Sequence, residues 1–209
     1  MKLYSYWRST TSYRVRIALA LKGLAYDMIS VNLLEKEQQG AEYMALNPIA
    51  GVPTLVTDDG MVLTQSMAIL DYIEAVAPNP ALLPSDPAAR ARVLGAALIM
   101  ATDVHPVNNL KVLTQLKAMG HSQDECVAWM RKWMGEGFAA FDALIERDTP
   151  FAFGDAPGMA DICLVAQLYN ANRWGVDLSA TPRLREIEDR CLALPAFDQA
   201  RPENQMDAT

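Results

Sequence analysis

The chain has 209 residues, long enough for one large domain or two small ones with separate cores. It is 51% apolar and 21% charged, a globular composition that excludes a disordered or fibrous chain. A net charge of −7 argues against general nucleic-acid binding. No apolar run approaches the roughly 18 residues of a membrane span. The opening MKLYSYWRSTTSYR is too polar for a secretory leader, so a cytoplasmic protein is expected. Cys126, Cys163 and Cys191 are widely spaced and form no CxxC. With only two histidines the chain has no obvious zinc set, and no protein-held metal is expected.

In chain order, residues 2–6 alternate and read as a strand. From Ser12, the spacing of Val15, Ala18, Leu19 and Leu21 predicts a helix that ends before Gly23. Residues 26–33 are again strand-like, and residues 36–46 read as a helix halted by Asn47 and Pro48. Residues 54–57 and 61–64 flank Asp58, Asp59 and Gly60, which marks a hairpin. Ser66 then caps a helix running towards Ala77. This β-α-β-α-β-β-α order in about eighty residues implies an α/β unit with a mixed sheet.

Proline-rich residues 81–87 read as a linker, with Asp86 as N-cap and Pro87 at the first helical position. Beyond it the pattern is entirely helical. Helices are expected over 88–116, over 122–146 behind a Ser122 and Glu125 capping box, over 159–174 and over 182–194. The last dozen residues are polar and read as a loose tail. The expected division is therefore an α/β domain over 1–80 and an all-helical domain over 88–209.

The charge is unevenly spread. Residues 1–26 hold Lys2, Arg8, Arg14, Arg16 and Lys22 with no acid, whereas the remainder carries 13 bases and 25 acids. Such a stretch either forms a cationic patch for a small anion or simply faces solvent.

Three features of the first domain bear on chemistry. Arg8, Ser9, Thr10, Thr11 and Ser12 lie where strand one gives way to helix one, so hydroxyls meet unpaired N–H groups and the positive end of the helix dipole. An anion such as a thiolate or carboxylate is favoured there. Val52 and Pro53 precede strand three as a candidate cis bond that leaves the Val52 backbone to pair with a peptide-like ligand. Gln65 and Ser66 open helix three, a second anion-favouring terminus. Read singly, these are two helix caps and a loop proline.

Together they carry a family resemblance. Tyr4, Ser5 and Tyr6, then Arg8 and Ser9, then residues 12–19 (SYRVRIAL) resemble the zeta-class signature of the glutathione transferases. That class includes the maleylacetoacetate and maleylpyruvate isomerases. Residues 45–48 (ALNP), 52–55 (VPTL), 65–66 (QS), 82–84 (LLP), 105–110 (HPVNNL) and 176–178 (VDL) extend the likeness through both domains. The resemblance implies a thioredoxin-like N-terminal domain with an all-α C-terminal domain, a homodimer, and glutathione as cofactor. The activity implied is cis-trans isomerisation of a maleyl diacid in the catabolism of aromatic amino acids and aromatic acids.

By position, the resemblance places Ser9, Thr11 and Ser12 at the glutathione sulfur, although the class often has cysteine where Thr11 stands. Val52 and Pro53 would pair with the cysteinyl part, Gln65 and Ser66 hold the γ-glutamyl end, and Gln38 reaches the glycyl carboxylate. His105 and Asn109 would line the cleft. Arg8 and Arg173 would grip the diacid, since a guanidinium holds a carboxylate at two points. The other readings are a transferase acting on small electrophiles or haloacids and a non-catalytic module of the same fold. A glutaredoxin-type reductase is disfavoured because residues 9–12 contain no cysteine.

Overall fold

Leu3, fully buried on β1 (Lys2–Ser5), faces Leu55 on β3 (Thr54–Val56), also fully buried, across an antiparallel pair. β2 (Asp27–Ser30) joins β1 in parallel and β4 (Val62–Thr64) joins β3 antiparallel, giving the sheet order β2-β1-β3-β4. The protein is described by a computed structural model covering all 209 residues, which fall into two units: Met1–Ala81 with Ala193–Thr209, and Leu82–Leu192.

In the sheet unit, α1 (Thr10–Leu21) is buried along Val15, Ile17, Ala18 and Leu19 and packs on α3 (Ser66–Val76), whose Ile69, Leu70 and Ile73 are also inaccessible. The hairpin, the parallel crossover and the mixed sheet are those of a thioredoxin-like domain. The helix expected over 36–46 is divided at Gly40 into a 3-10 turn (Glu37–Gln39) and α2 (Ala41–Leu46).

Three expectations change here. The tail is not loose: α9 (Pro195–Ala200) packs on α1 through the buried Phe197 and Ala200, so Ala193–Thr209 belongs to the sheet unit rather than the helical one. The linker is not open chain, because Leu82 and Leu83 are buried and the Leu82 carbonyl accepts from Met159 N at 2.8 Å. The basic stretch is not a surface patch. Arg14 and Arg16 are 1% and 0% exposed, and Lys22 pairs with Glu74 at 2.6 Å. Arg16 donates to Ser5 Oγ, to the Tyr6 and Trp7 carbonyls and to the Ala200 carbonyl, tying the end of β1 to the tail.

The helical unit is built around α7 (Met159–Trp174), which is buried at every residue from 159 to 168. α4 (Pro87–Leu98) starts as expected, with Asp86 accepting from Ala89 N at 2.8 Å. It does not run on to residue 116. A π-helical turn (Ile99–Val104), a 3-10 turn (Pro106–Asn108) and a new helix, α5 (Leu110–Ala118), replace the single helix. Pro106 has no N–H to continue the ladder, and Asn109 restarts it as an N-cap. α6 (Gln123–Leu144), with the expected Ser122 and Glu125 box, and α8 (Pro182–Leu192) complete the unit.

α6 meets the π-helical turn at Gly137, where an added Cβ would lie 2.0 Å from Val104 Cγ2. Gly137→Ala is expected to destabilise the protein by about 1–3 kcal/mol through overpacking. Val104→Ala in the same chain should restore much of the loss, since it deletes that methyl. Thermal unfolding of the single and double variants checks this, and a double variant no better than Gly137→Ala would overturn it.

The three cysteines are buried, and burial with the nearby charges of Asp161 and Glu188 pushes the Cys191 thiol far up. No helix is long and apolar enough to cross a membrane.

Candidate functional site

Ser9 terminates the β1-α1 connection with extended backbone (φ −71°, ψ 117°), and its Oγ accepts from Ser12 N at 3.2 Å. Its hydroxyl is 2.9 Å from Thr11 Oγ1, which donates its only proton to the Val52 carbonyl at 2.7 Å. Thr11 can therefore only accept from Ser9, and the proton order runs from Ser9 through Thr11 to Val52. This separates two residues that sequence reasoning had treated alike. Ser9 holds a proton that can swing to a ligand, whereas Thr11 is engaged in anchoring the Val52 loop.

The anchoring also corrects the expectation for Val52. Its carbonyl is not left wholly to a ligand, because Thr11 occupies one lone pair; its N–H has no partner within the protein. The Val52-Pro53 bond is cis, as the sequence suggested. Beneath it, Tyr43 Oη and Asn47 Nδ2 both donate to the Gly51 carbonyl, at 2.6 and 2.7 Å, and both contact Thr54 Oγ1. Ser12 is placed differently from the expectation: its side chain is fully buried and Oγ has no partner, so its backbone N–H, through Ser9, is what enters the site.

Arg8 precedes this cluster. It is half-buried, its Cζ lies 4.8 Å from the Trp7 ring centroid, its Nε is buried without a hydrogen-bond partner, and no carboxylate pairs with it. A guanidinium in that setting favours an incoming anion.

The second helix terminus is set from below. Gln65 has φ 68° and ψ 115°, a conformation rare outside glycine, and no side chain caps α3. Ser66 is buried and its Oγ accepts from Arg14 Nη1 at 3.3 Å, so an internal cation lies beneath the α3 N-terminus. Sequence reasoning missed this role of Arg14, since a basic residue in a helix gives no sign that it points inward. Gln38, on the 3-10 turn, is buried with Oε1 unpaired. No hydrogen bond ties it to the Ser9 cluster.

The remaining candidates lie in the helical unit. Asn109 Nδ2 is 3.3 Å from His105 Nε2, and Asn109 Oδ1 accepts from Lys111 N at 3.1 Å. Their segment is held by a residue the sequence did not single out: Asn108, buried, donates to the Val104 carbonyl at 2.7 Å and accepts from Asn170 Nδ2 at 3.1 Å. Trp129 Nε1 adds a bond to the Val107 carbonyl at 2.7 Å. Arg173 is exposed on the last turn of α7, with its Cζ 4.8 Å from the Trp174 ring. A cavity of about 370 Å³, lined by Leu116, Cys126, Trp129 and Lys132 among others, contains none of the candidate residues.

Comparison with known proteins gives two family matches: the glutathione S-transferase N-terminal domain over residues 1–75 and the C-terminal domain over residues 127–190. A maleylacetoacetate isomerase of Pseudomonas aeruginosa is 51% identical over 209 residues, covering 99% of this chain and 98% of the relative. Among solved structures, the holo form of a maleylpyruvate isomerase, described as a bacterial zeta-class glutathione S-transferase, superimposes with a TM-score of 0.97 at 42% identity over the whole of both chains. A maleylacetoacetate isomerase from Anaeromyxobacter dehalogenans, holding dicarboxyethyl glutathione and citrate in its active site, gives 0.89 at 44% identity, covering 100% of this chain and 97% of that one.

Proposed function

Because the chain belongs to the zeta class of the glutathione S-transferase family, we propose that it is a glutathione-dependent cis-trans isomerase of a maleyl diacid. The substrate is maleylacetoacetate, giving fumarylacetoacetate, or maleylpyruvate, giving fumarylpyruvate. The observation that carries this reading is the ordered Ser9, Thr11 and Val52 chain at the start of α1, with Arg8 beside it lacking any carboxylate partner.

The residues fit glutathione. The unpaired Val52 N–H suits its peptide backbone, the uncapped α3 terminus with Ser66 suits its γ-glutamyl carboxylate, and the unpaired Oε1 of buried Gln38, an acceptor, suits an N–H of the tripeptide rather than the glycyl carboxylate first expected of it. When bound, glutathione supplies a thiolate whose reversible addition gives the maleyl double bond temporary single-bond character. The chain's own residues do the rest. Ser9 turns its hydroxyl proton from Thr11 to the sulfur and, with the α1 dipole, holds it ionised. Thr11 keeps the Val52 loop in place. Arg8 neutralises a carboxylate and the charge that develops next to it. By the family resemblance, His105 and Asn109 are the helical unit's candidates for contact with the ligands, and Arg173 its candidate for a carboxylate of the diacid. We read the protein as a cytoplasmic homodimer; light scattering in solution tests the dimer, and a monomer mass of 23.0 kDa would overturn it.

Arg8→Ala and Arg173→Ala should each raise KM for the diacid by about tenfold or more, the value of one charge-assisted hydrogen bond. Conjugation of glutathione to an uncharged electrophile should be affected less than threefold, and this separates an isomerase from a general transferase. Equal losses on both substrates would overturn the role of the arginines. The function itself is checked by following the absorbance of each maleyl acid with and without glutathione. Isomerisation that requires glutathione is expected; no reaction with either acid, or the same rate without glutathione, would overturn the proposal.

A further inference from the structure

The residue before Arg8 is fixed from three sides. Trp7 N donates to Asp207 Oδ2 at 3.1 Å, its carbonyl accepts from Arg16 Nη2 at 2.9 Å, and its ring, 8% exposed, lies under the Arg8 guanidinium at 4.8 Å. The same Asp207 oxygen accepts from Ser30 Oγ at 3.1 Å, and Ser30 is the last paired residue of β2, opposite Ser5 of β1. One carboxylate from the C-terminal segment thus joins the β1-α1 connection to the end of β2.

The segment that carries Asp207 is itself secured. Phe197 and Ala200 are buried, α9 packs on α1, and the Ala200 carbonyl accepts from Arg16 Nε at 3.1 Å. The 3-10 turn Pro202–Asn204 then turns the chain towards Trp7, with Gln205 Nε2 donating to the Arg201 carbonyl at 2.7 Å. Asp207 Oδ1 is buried and accepts nothing. A buried carboxylate oxygen without a donor is costly, and a side chain so near the surface would escape that cost by rotating outward. It stays because Oδ2 holds two donors, one of them the amide that places the Trp7 ring.

We propose that Asp207 is a positioning residue for substrate recognition: by fixing Trp7 it fixes the aromatic face on which the Arg8 guanidinium rests, and so the direction from which Arg8 meets a carboxylate. This rests on the reading of Arg8 as the diacid's grip. Arg8 has no other partner to hold it, so release of Trp7 leaves its head free to sample rotamers and adds an ordering cost to each binding event. Glutathione binding through Val52, Gln65 and Ser66 does not use this contact.

The test compares wild type, Asp207→Ala and Asp207→Asn, using malonate as the probe because it is a diacid with no double bond to isomerise. Malonate affinity is measured by calorimetry at saturating glutathione, glutathione affinity by itself, exchange of the Trp7 amide by NMR, and kcat and KM on the maleyl acid. For Asp207→Ala, Trp7 amide exchange at least tenfold faster, malonate binding and diacid KM weakened about five- to tenfold, and kcat and glutathione affinity within threefold are expected. Asp207→Asn keeps an oxygen for both donors and should stay close to wild type. Malonate affinity unchanged in Asp207→Ala overturns the proposal. So does a parallel loss of glutathione and malonate binding, which marks a structural role only, and so does a wild type that binds no malonate. A wild type that binds malonate but isomerises neither acid overturns the functional reading instead, and the malonate and exchange data still decide the role of Asp207.

Discussion

Ser9→Ala should lower kcat on the maleyl acid by about 10²-fold, the scale of deleting one donor aimed at a reacting anion, with glutathione affinity changed less than threefold. The hydroxyl is the one donor of the Ser9, Thr11 and Val52 chain whose proton can be redirected, since the Thr11 proton is held by a carbonyl 2.7 Å away. Its loss leaves only the helix terminus to hold the sulfur ionised, so the acidic limb of the pH-rate profile should move upward by roughly one unit. The variant also loses an N-cap, about 0.5–2 kcal/mol of stability, so Ser9→Thr, which keeps both hydroxyl and cap, is the control. Thr11→Val should behave differently. It frees the Val52 carbonyl and loosens the loop that receives glutathione, so affinity should fall more than turnover. A Ser9→Ala enzyme with full kcat would end the thiolate assignment, and identical profiles for the two variants would refute the proton order.

What the sequence disclosed, and what it hid, follows from how far each signal reaches. The span of α7, the Ser122 and Glu125 box, the Asp86 cap ahead of Pro87 and the hairpin at Asp58, Asp59 and Gly60 are local, each set by residues within one turn of each other. The break at Pro106 is equally local, but apolar periodicity on both sides of it matches one continuous helix and masks the missing N–H. Arg14 and Arg16 lay beyond such signals. Summing charge along a segment treats every cation as solvated, whereas these two enter the core because Ser66 and the carbonyls of Tyr6, Trp7 and Ala200 meet them there. The tail misled for a related reason. Its polarity is real, but its polar groups are spent on Trp7, Ser30 and its own turn, pairings separated by up to 200 residues. In the site, the residue types at 8–12, 52–53 and 65–66 were legible; which hydroxyl donates and which accepts was not, because that depends on a carbonyl 41 residues away.

The largest expected effect on stability lies at Asp161. Its carboxylate accepts from Gly158 N and Ala152 N, each at 2.8 Å, and is 1% exposed. Glycine caps α7 where a larger residue would crowd the chain, since a Cβ on Gly158 would lie 3.0 Å from the Leu82 carbonyl oxygen, so the reciprocal bond from Asp161 closes the terminus. Asp161→Ala orphans both N–H groups and should cost about 2–5 kcal/mol, read as a Tm lower by roughly 5–15 °C. Burial pushes this carboxyl up to about 6, against the pull of the two N–H groups and of Arg183. The folded protein therefore holds a proton that the unfolded chain releases near the ordinary value of 3.8. Stability from this group is complete below about pH 4 and declines as pH rises to about 6, by about 3 kcal/mol in total. Asp161→Asn cannot ionise. Its amide oxygen keeps one of the two bonds, so it should be less stable than wild type at pH 4, with the gap narrowing by that amount as pH rises to 6 and constant above. Other carboxylates titrate in both proteins and cancel in the difference. Denaturation curves for the pair between pH 4 and 7 decide the matter: parallel profiles would mean that Asp161 is ionised throughout, and the two amides would then outweigh burial.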